Sequence, residues 1–486
     1  MRRTPHPGVF EAVIGLEIHV QLSTETKLFC ACANRFGDPP NTHTCPVCLG
    51  MPGALPTFNA EAMGHALRVA LALGCRVRHR SRFARKNYFY PDLPKGYQIS
   101  QYEQPLAEDG SFAFDLDGER RTVGIVRVHL EEDAGKSVHD NAAGSGTGTL
   151  IDLNRSGVPL VEIVTSPDLR GPKEADAFLS TLRTTLLYLN VTDASMEEGS
   201  LRCDANISVR HAGESALYAK TEIKNLNSFR FLRQALRYEQ ERQIGLLQAG
   251  ELPAPGTGLW DEKTGKTVMM REKEEVPDYR YFPEPDLVPV VVEEAELSAT
   301  ASDLPEVPLA RMDRFMGRFS LPRADVAVLV EKRARADYFE ALVAAGAEPL
   351  EASNWIRVRI LRWLNEQGLR IVDFPVSAEA LAELITTAAA GSVSTATASA
   401  VLNRMIETGR RAPQIIADEG LEQICSASDL VPVVDEILHA HPHEVEAYRA
   451  GRHQLLGFFM GEVMHATRGQ ANPELARQLL CSRLEA

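Results

Sequence analysis

The sequence predicts an α+β protein in three parts. A strand-rich domain with a largely antiparallel sheet spans 1–295, an all-α helical domain spans 296–409, and a small helical tail domain spans 410–486. Three observations carry this reading. Runs in the first part alternate apolar and polar residues with period two, as half-buried strands do. From about 296, Ala-rich stretches such as 324–345 and 378–390 take the helical period instead. Prolines crowd Pro283-Glu-Pro-Asp-Leu-Val-Pro289 at the first change, and Gly409-Arg-Arg-Ala-Pro413 marks the second. At 486 residues the chain is too long for one ordinary core.

The opening run, Val13-Ile-Gly-Leu-Glu-Ile-His-Val-Gln-Leu22, is the most informative. As a strand it puts Ile14, Leu16, Ile18, Val20 and Leu22 on one face and Glu17, His19 and Gln21 on the other. Glu and His two apart on one face can ligate a metal or move a proton. The alternative is an ordinary solvated face. Three further runs behave alike: 125–131 with Arg127, His129 and Glu131, 203–210 with Asp204, Asn206, Ser208 and Arg210, and 220–224 with Lys220, Glu222 and Lys224. Four such strands are either a sheet with a working surface or four plain solvent faces.

Directly after the opening strand come Cys30-Ala-Cys32 and Cys45-Pro-Val-Cys48, four of the chain's eight cysteines. Two close pairs in a chain with no secretory signature favour metal over disulfide. Four thiolates complete a tetrahedral zinc site and leave no position for water, so the expected role is structural.

Nucleotide chemistry has two candidate places. Gly265-Lys266-Thr267 matches the end of a phosphate-binding loop, but the glycine required five positions earlier is Trp260. The segment is expected to form a β-hairpin with Thr264-Gly265 at its tip and Lys266 exposed. The other place is Ala84-Arg-Lys-Asn-Tyr-Phe-Tyr-Pro-Asp-Leu-Pro-Lys-Gly-Tyr-Gln98. There Arg85, Lys86 and Lys95 lie among Tyr88, Phe89, Tyr90 and Tyr97. Such a loop can stack a base or ribose while its cations meet phosphates, or it can be a surface loop whose aromatics dip into the core. Leu130-Glu-Glu-Asp-Ala-Gly-Lys136 adds acids at a strand end, suited with Glu17 and His19 to a hard cation such as magnesium.

The net charge of −14 argues against bulk non-specific nucleic-acid binding and leaves room for recognition by shape or local patches. The start lacks the apolar stretch of a signal peptide, and no run approaches the eighteen or so apolar residues of a membrane span. A cytoplasmic protein is expected.

Together these segments resemble a known family. The match runs through 13–22, the cysteine pairs, 84–101, 130–136, Leu153-Asn-Arg-Ser-Gly-Val-Pro-Leu-Val-Glu-Ile-Val164, Gly199-Ser-Leu-Arg-Cys-Asp-Ala-Asn-Ile-Ser-Val209 and Lys220-Thr-Glu-Ile-Lys-Asn-Leu-Asn-Ser228. The chain resembles the GatB (GatB/Pet112) family of aspartyl/glutamyl-tRNA amidotransferase subunits over nearly its whole length, and most specifically to about residue 290. The resemblance implies a cradle domain, a helical domain and a YqeY-like tail that contacts tRNA. It implies a complex with an amidase subunit (GatA) and a small subunit (GatC). It also implies ATP-dependent phosphorylation of the side-chain carboxylate of Glu-tRNA(Gln) or Asp-tRNA(Asn), and amidation by ammonia channelled from glutamine. By position it assigns Glu17, His19, Glu131, Glu132 and Asp204 to a magnesium and kinase site. Lys86 and Lys95, with Arg85 beside them, fall in the cationic loop that meets ATP phosphates. Cys30, Cys32, Cys45 and Cys48 match the zinc ligands. In an ideal strand Glu132 points away from Glu131, so a bulge or turn is needed for both to serve.

Two rival readings stand beside it. One is a zinc hydrolase, opposed by the closed cysteine set and by the lack of His-Glu-x-x-His. The other is a non-catalytic tRNA-binding scaffold within a larger complex. The tail itself holds seven Arg, no Lys and eleven Asp or Glu, so tRNA contact there must rest on placement and shape.

Overall fold

In the computed structural model, residues 9–139, 148–270, 278–424, 426–467 and 469–485 are described. The chain divides into two compact units, Met1–Ala310 and Arg311–Ala486.

The first unit is built on a nine-stranded sheet. The strands in chain order are β1 (Phe10–Gln21), β2 (Arg76–Val77), β3 (Arg80–Ser81), β4 (Ala84–Asn87), β5 (Tyr97–Ser100), β6 (Ala107–Leu116), β7 (Glu119–Glu132), β8 (Lys136–His139), β9 (Thr149–Asp152), β10 (Pro159–Thr165), β11 (Leu201–His211), β12 (Thr221–Lys224), β13 (Gly256–Asp261), β14 (Lys266–Met269), β15 (Phe282–Pro283) and β16 (Val290–Val291). The large sheet runs β14-β13-β12-β11-β1-β10-β7-β6-β2. Its pairs are antiparallel except β12 with β13. A small sheet of β15, β4 and β5 lies beside it.

The alternation of β1 explains its central place. Ile14, Leu16, Ile18 and Val20 are buried among helices α1 (Ala60–Ala72), α2 (Pro172–Leu189) and α3 (Phe229–Gln248), which contribute Leu67, Phe178, Leu182 and Leu236 to the same core. Each such side chain contributes about 1.5–3 kcal/mol on burial. A one-residue slip would drive Glu17 and His19 into that core, so the register is pinned. The helices begin where their sequences dictate. Asn59 caps α1, Ser228 caps α3, and Pro172 opens α2 at a position that needs no amide donor.

The segment 256–269 forms the expected hairpin: β13 and β14 pair around a tip in which Gly265 takes φ +63°. Helix α4 (Glu294–Ser302), on the helical side of the composition change, belongs to the first unit, because Leu297 packs on the sheet's core. The second unit holds two cores. One draws on Phe315, Phe339, Trp355, Leu381 and Val401, and also takes in Ile415 and Ile416 of the helix Ala412–Glu419. The other is formed by Leu430, Val434, Phe459, Val463 and Leu480. No described helix is long and apolar enough to cross a membrane.

Candidate active site

The polar face of the large sheet carries one continuous row of functional groups. Pairing β1 with β10 sets His19 opposite Glu162, and pairing β10 with β7 sets Glu162 opposite His129. On the other side, β11 sets Arg202 opposite His19 and Asp204 opposite Glu17. Antiparallel neighbours on one face stand about 4.5–5.5 Å apart, so register alone brings residues remote in sequence within reach.

At the centre, His19 Nε2 lies 3.4 Å from Glu131 and 3.5 Å from Glu162. His129 Nε2 lies 3.2 Å from Glu162 and 3.7 Å from Glu131. Two carboxylates and two imidazoles thus alternate around a square in which His129 and Glu131 are buried and His19 and Glu162 half-buried. Burial alone would depress both imidazoliums, but the carboxylates outweigh it: Glu162 and Glu131 raise His19 and push His129 up to about 9. Burial would likewise raise Glu162, yet the two imidazoles hold it well below the usual carboxylate range. Nδ1 of His129 is buried and has no partner among the described residues.

One donor atom each from His19, Glu131 and Glu162 lies within 4.8 Å of the others. Neighbouring ligands of an octahedral magnesium stand about 3.0 Å apart and opposite ones about 4.2 Å, so small side-chain movements would close this set around a cation. The chemistry fits as well: two hard carboxylates and one nitrogen offer charge and leave positions open. His129, within ion-pair distance of both carboxylates, helps hold them in place.

The other residues singled out in the sequence lie around this centre. Glu17 accepts a 3.0 Å hydrogen bond from Asn206 Nδ2. It borders a cavity of about 270 Å³ lined also by Asn206, Ser208, Tyr218 and Lys220. Asp204 is paired with Lys224 at 3.1 Å. Glu132 is not in the square. The register continues unbroken through Glu131 and Glu132, without the bulge that would turn both to one face. Glu132 instead binds Lys95 and the backbone amide of Ile99, both buried. Arg85 makes a two-pronged bond to Glu284 and stacks over Tyr97 at 4.2 Å. Lys86 makes no ion pair among the described residues, and its ammonium sits 4.7 Å above the ring of Tyr279. Phe89 and Tyr90 are 78% and 60% exposed, whereas Leu93 is buried. Burial, with the charges of Glu131 and Glu162, pushes the Tyr281 phenol up, and burial with Glu131 does the same for Tyr88.

Sequence reasoning missed Glu162, Asp133 and Arg202 as site residues. Glu162 is the one charged residue of Pro159–Thr165, and that was its signal. Asp133 binds Arg202 at 2.8 Å and Gln21 at 2.9 Å. Arg202 lies one step before the alternating polar positions of β11, so extending that pattern by two residues would have found it.

The cysteines converge. Cys48 Sγ lies 3.5 Å from Cys30, 3.7 Å from Cys45 and 3.8 Å from Cys32. A regular tetrahedron with zinc–sulfur bonds of about 2.3 Å has edges of about 3.8 Å, so the three distances from Cys48 match a zinc site, and all four sulfurs lie within 4.8 Å of one another. The hydrogen bond with Cys30 and the ammonium of Lys27 pull the Cys48 thiol down, while the same bond and burial push Cys30 up.

The first unit is thus a mixed sheet with a carboxylate and imidazole centre on its polar face and a four-cysteine cluster after its first strand. The description "GatB/GatE catalytic domain" matches residues 12–298, and "GatB domain" matches 337–484. The chain belongs to the GatB family. It is 50% identical over 471 residues to the B subunit of the aspartyl/glutamyl-tRNA(Asn/Gln) amidotransferase of Thermodesulfovibrio yellowstonii, covering 97% of this chain and 98% of that one. It is 50% identical to the protein of the same name in Moorella thermoacetica, over 98% of this chain and 100% of that one. Against the Geobacter sulfurreducens protein of that name the identity is 46%, over 98% and 99%.

Proposed function

We propose that the chain is the activating subunit of a glutamine-dependent amidotransferase acting on misacylated tRNA. It phosphorylates the side-chain carboxylate of Glu-tRNA(Gln) or Asp-tRNA(Asn) with ATP, then passes the acyl phosphate to ammonia. The observation that supports this most is the square of His19, Glu131, His129 and Glu162 on the polar face of the sheet.

A carboxylate is a poor electrophile. Moving the γ-phosphoryl group onto its oxygen creates a leaving group, with ADP as the other product. Ammonia then forms the carbon–nitrogen bond as the carbon–oxygen bond to phosphate breaks, giving Gln-tRNA(Gln) or Asn-tRNA(Asn) and inorganic phosphate. His19, Glu131 and Glu162 would hold magnesium, which supplies charge neutralisation during phosphoryl transfer. Lys86, without a carboxylate partner among the described residues, is the cation assigned to the phosphates. Arg85 and Lys95 shape the loop through Glu284 and Glu132. Glu17 and Asp204 extend the acidic row from the square toward the cavity and Lys224. The four cysteines would hold a structural zinc that fixes the exit of β1.

In this reading the chain works in the cytoplasm with an amidase subunit (GatA) that makes ammonia from glutamine and with a small subunit (GatC). The amidation rate of the assembled complex tests it. Glu131→Gln is expected to lower ATP-dependent amidation by about tenfold or more while glutaminase activity stays near wild type. A wild-type amidation rate in that variant would overturn the assignment.

A further inference from the structure

Lys27 is completely buried. Its ammonium donates to the carbonyl of His43 at 2.6 Å, to that of Leu153 at 3.3 Å and to Cys48 Sγ at 3.6 Å. An ammonium has three donors, so all three are used. We propose that Lys27 is the positioning residue of the cysteine centre: it is the charge partner of the metal-bound thiolates and ties them to the segment that grips the end of β7. This inference rests on the zinc reading above.

The electrostatic half follows from charge balance. Zn²⁺ with four thiolates carries a net charge of −2, and such a charge in a closed site needs a compensating group nearby. A buried ammonium is itself unfavourable unless paired. Each therefore offsets the cost of the other. Hydrogen bonds to ligating atoms are the usual means by which a protein orients and tunes a metal centre.

The mechanical half follows from the backbone. The amide of Lys27 donates to Cys32 O at 3.0 Å, so this residue also closes the first cysteine turn. The amide of Leu28 donates to Gly157 O at 2.8 Å. Gly157 in turn donates to Asp133 O at 2.9 Å, and Asp133 to Val158 O at 2.8 Å. The guanidinium of Arg155 reaches the carbonyls of Ala134 and Gly135 at 3.0 and 2.6 Å. Through its contact with Leu153, Lys27 thus joins the cysteine cluster to a segment bonded two residues from Glu131.

The test uses the full-length chain loaded with cobalt(II) as a spectroscopic probe and with zinc for affinity. Lys27→Met keeps most of the length of the side chain and removes its charge. The wild type is expected to take up one metal per chain at the four cysteines, read by the sulfur-to-cobalt band. The variant should bind zinc about tenfold or more weakly in competition with a chelator. Its sulfur-to-cobalt charge-transfer band should move to lower energy, because losing a positive charge raises the sulfur lone pairs. A purely structural role would not shift that band. Lys27→Gln, which keeps a hydrogen-bond donor, guards against misfolding of the Met variant and should show the same shift. Zinc affinity within twofold of wild type with an unmoved band, in whichever variant folds, overturns the role of Lys27. A wild-type chain that takes up no metal overturns the zinc reading itself, a distinguishable result.

Discussion

Glu162 is ion-paired with two imidazoles, His19 at 3.5 Å and His129 at 3.2 Å, so in the proposed mechanism replacing it removes one magnesium ligand and one charge partner together. Glu162→Gln is expected to raise the magnesium concentration needed for half-maximal amidation by about tenfold or more. Titration of magnesium against amidation rate checks this, and an unchanged midpoint would remove Glu162 from the ligand set. Single residues were unevenly legible. His19 and Glu131 stood out because charge at alternating positions of an apolar strand is a local signal. Glu162 carried the same signal, but its importance depends on register with β1 and β7, and register is set by partners far away in the chain. Arg85 looked equivalent to Lys86 in sequence. What separates them is Glu284, which lies 199 residues on and engages Arg85 with both carboxylate oxygens.

Among the elements, the long strands and the cysteine turns were the easiest to read, since alternation and spacing are properties of contiguous residues. The short strands β2, β3, β15 and β16 were not legible, because two residues carry no period and their pairing is decided by the sheet they join. The helical unit offers a stability test at this scale. Helix α5 (Pro308–Phe319) is tied to the helix Arg333–Ala344 by Arg311 and Arg314, which both bond Glu340, Arg314 at 2.5 Å. Burial would raise the Glu340 carboxyl, but the two guanidiniums outweigh it and lower it. Its contribution is therefore present above the ordinary carboxylate value of about 4.3 and fades as pH falls through the depressed folded value. Glu340→Gln is expected to cost about 1–3 kcal/mol at neutral pH. Its denaturation midpoint should approach that of the wild type in acid, and an equal gap at neutral pH and well below the carboxylate range would contradict this.

For the whole molecule, the α+β class followed from a change of period along the chain. The boundaries did not follow so directly. Helix α4 joins the sheet's core and the helix Ala412–Glu419 joins the first helical core, because an amphipathic helix packs on whichever apolar surface is at hand. The net charge of −14, with no Lys in the tail, argues against bulk nucleic-acid binding, so the proposed function requires tRNA to be recognised by placement and shape.

The central claim is that the square of carboxylates and imidazoles on the sheet's polar face serves a tRNA-dependent kinase step. ADP release by the assembled complex, followed with misacylated tRNA, with uncharged tRNA and without tRNA, tests it most directly. ADP should form with the misacylated tRNA, and Glu131→Gln should suppress it by about tenfold or more. ADP release that ignores the aminoacyl group, or persists unchanged in Glu131→Gln, would mean that the chain is a scaffold and that the chemistry lies elsewhere.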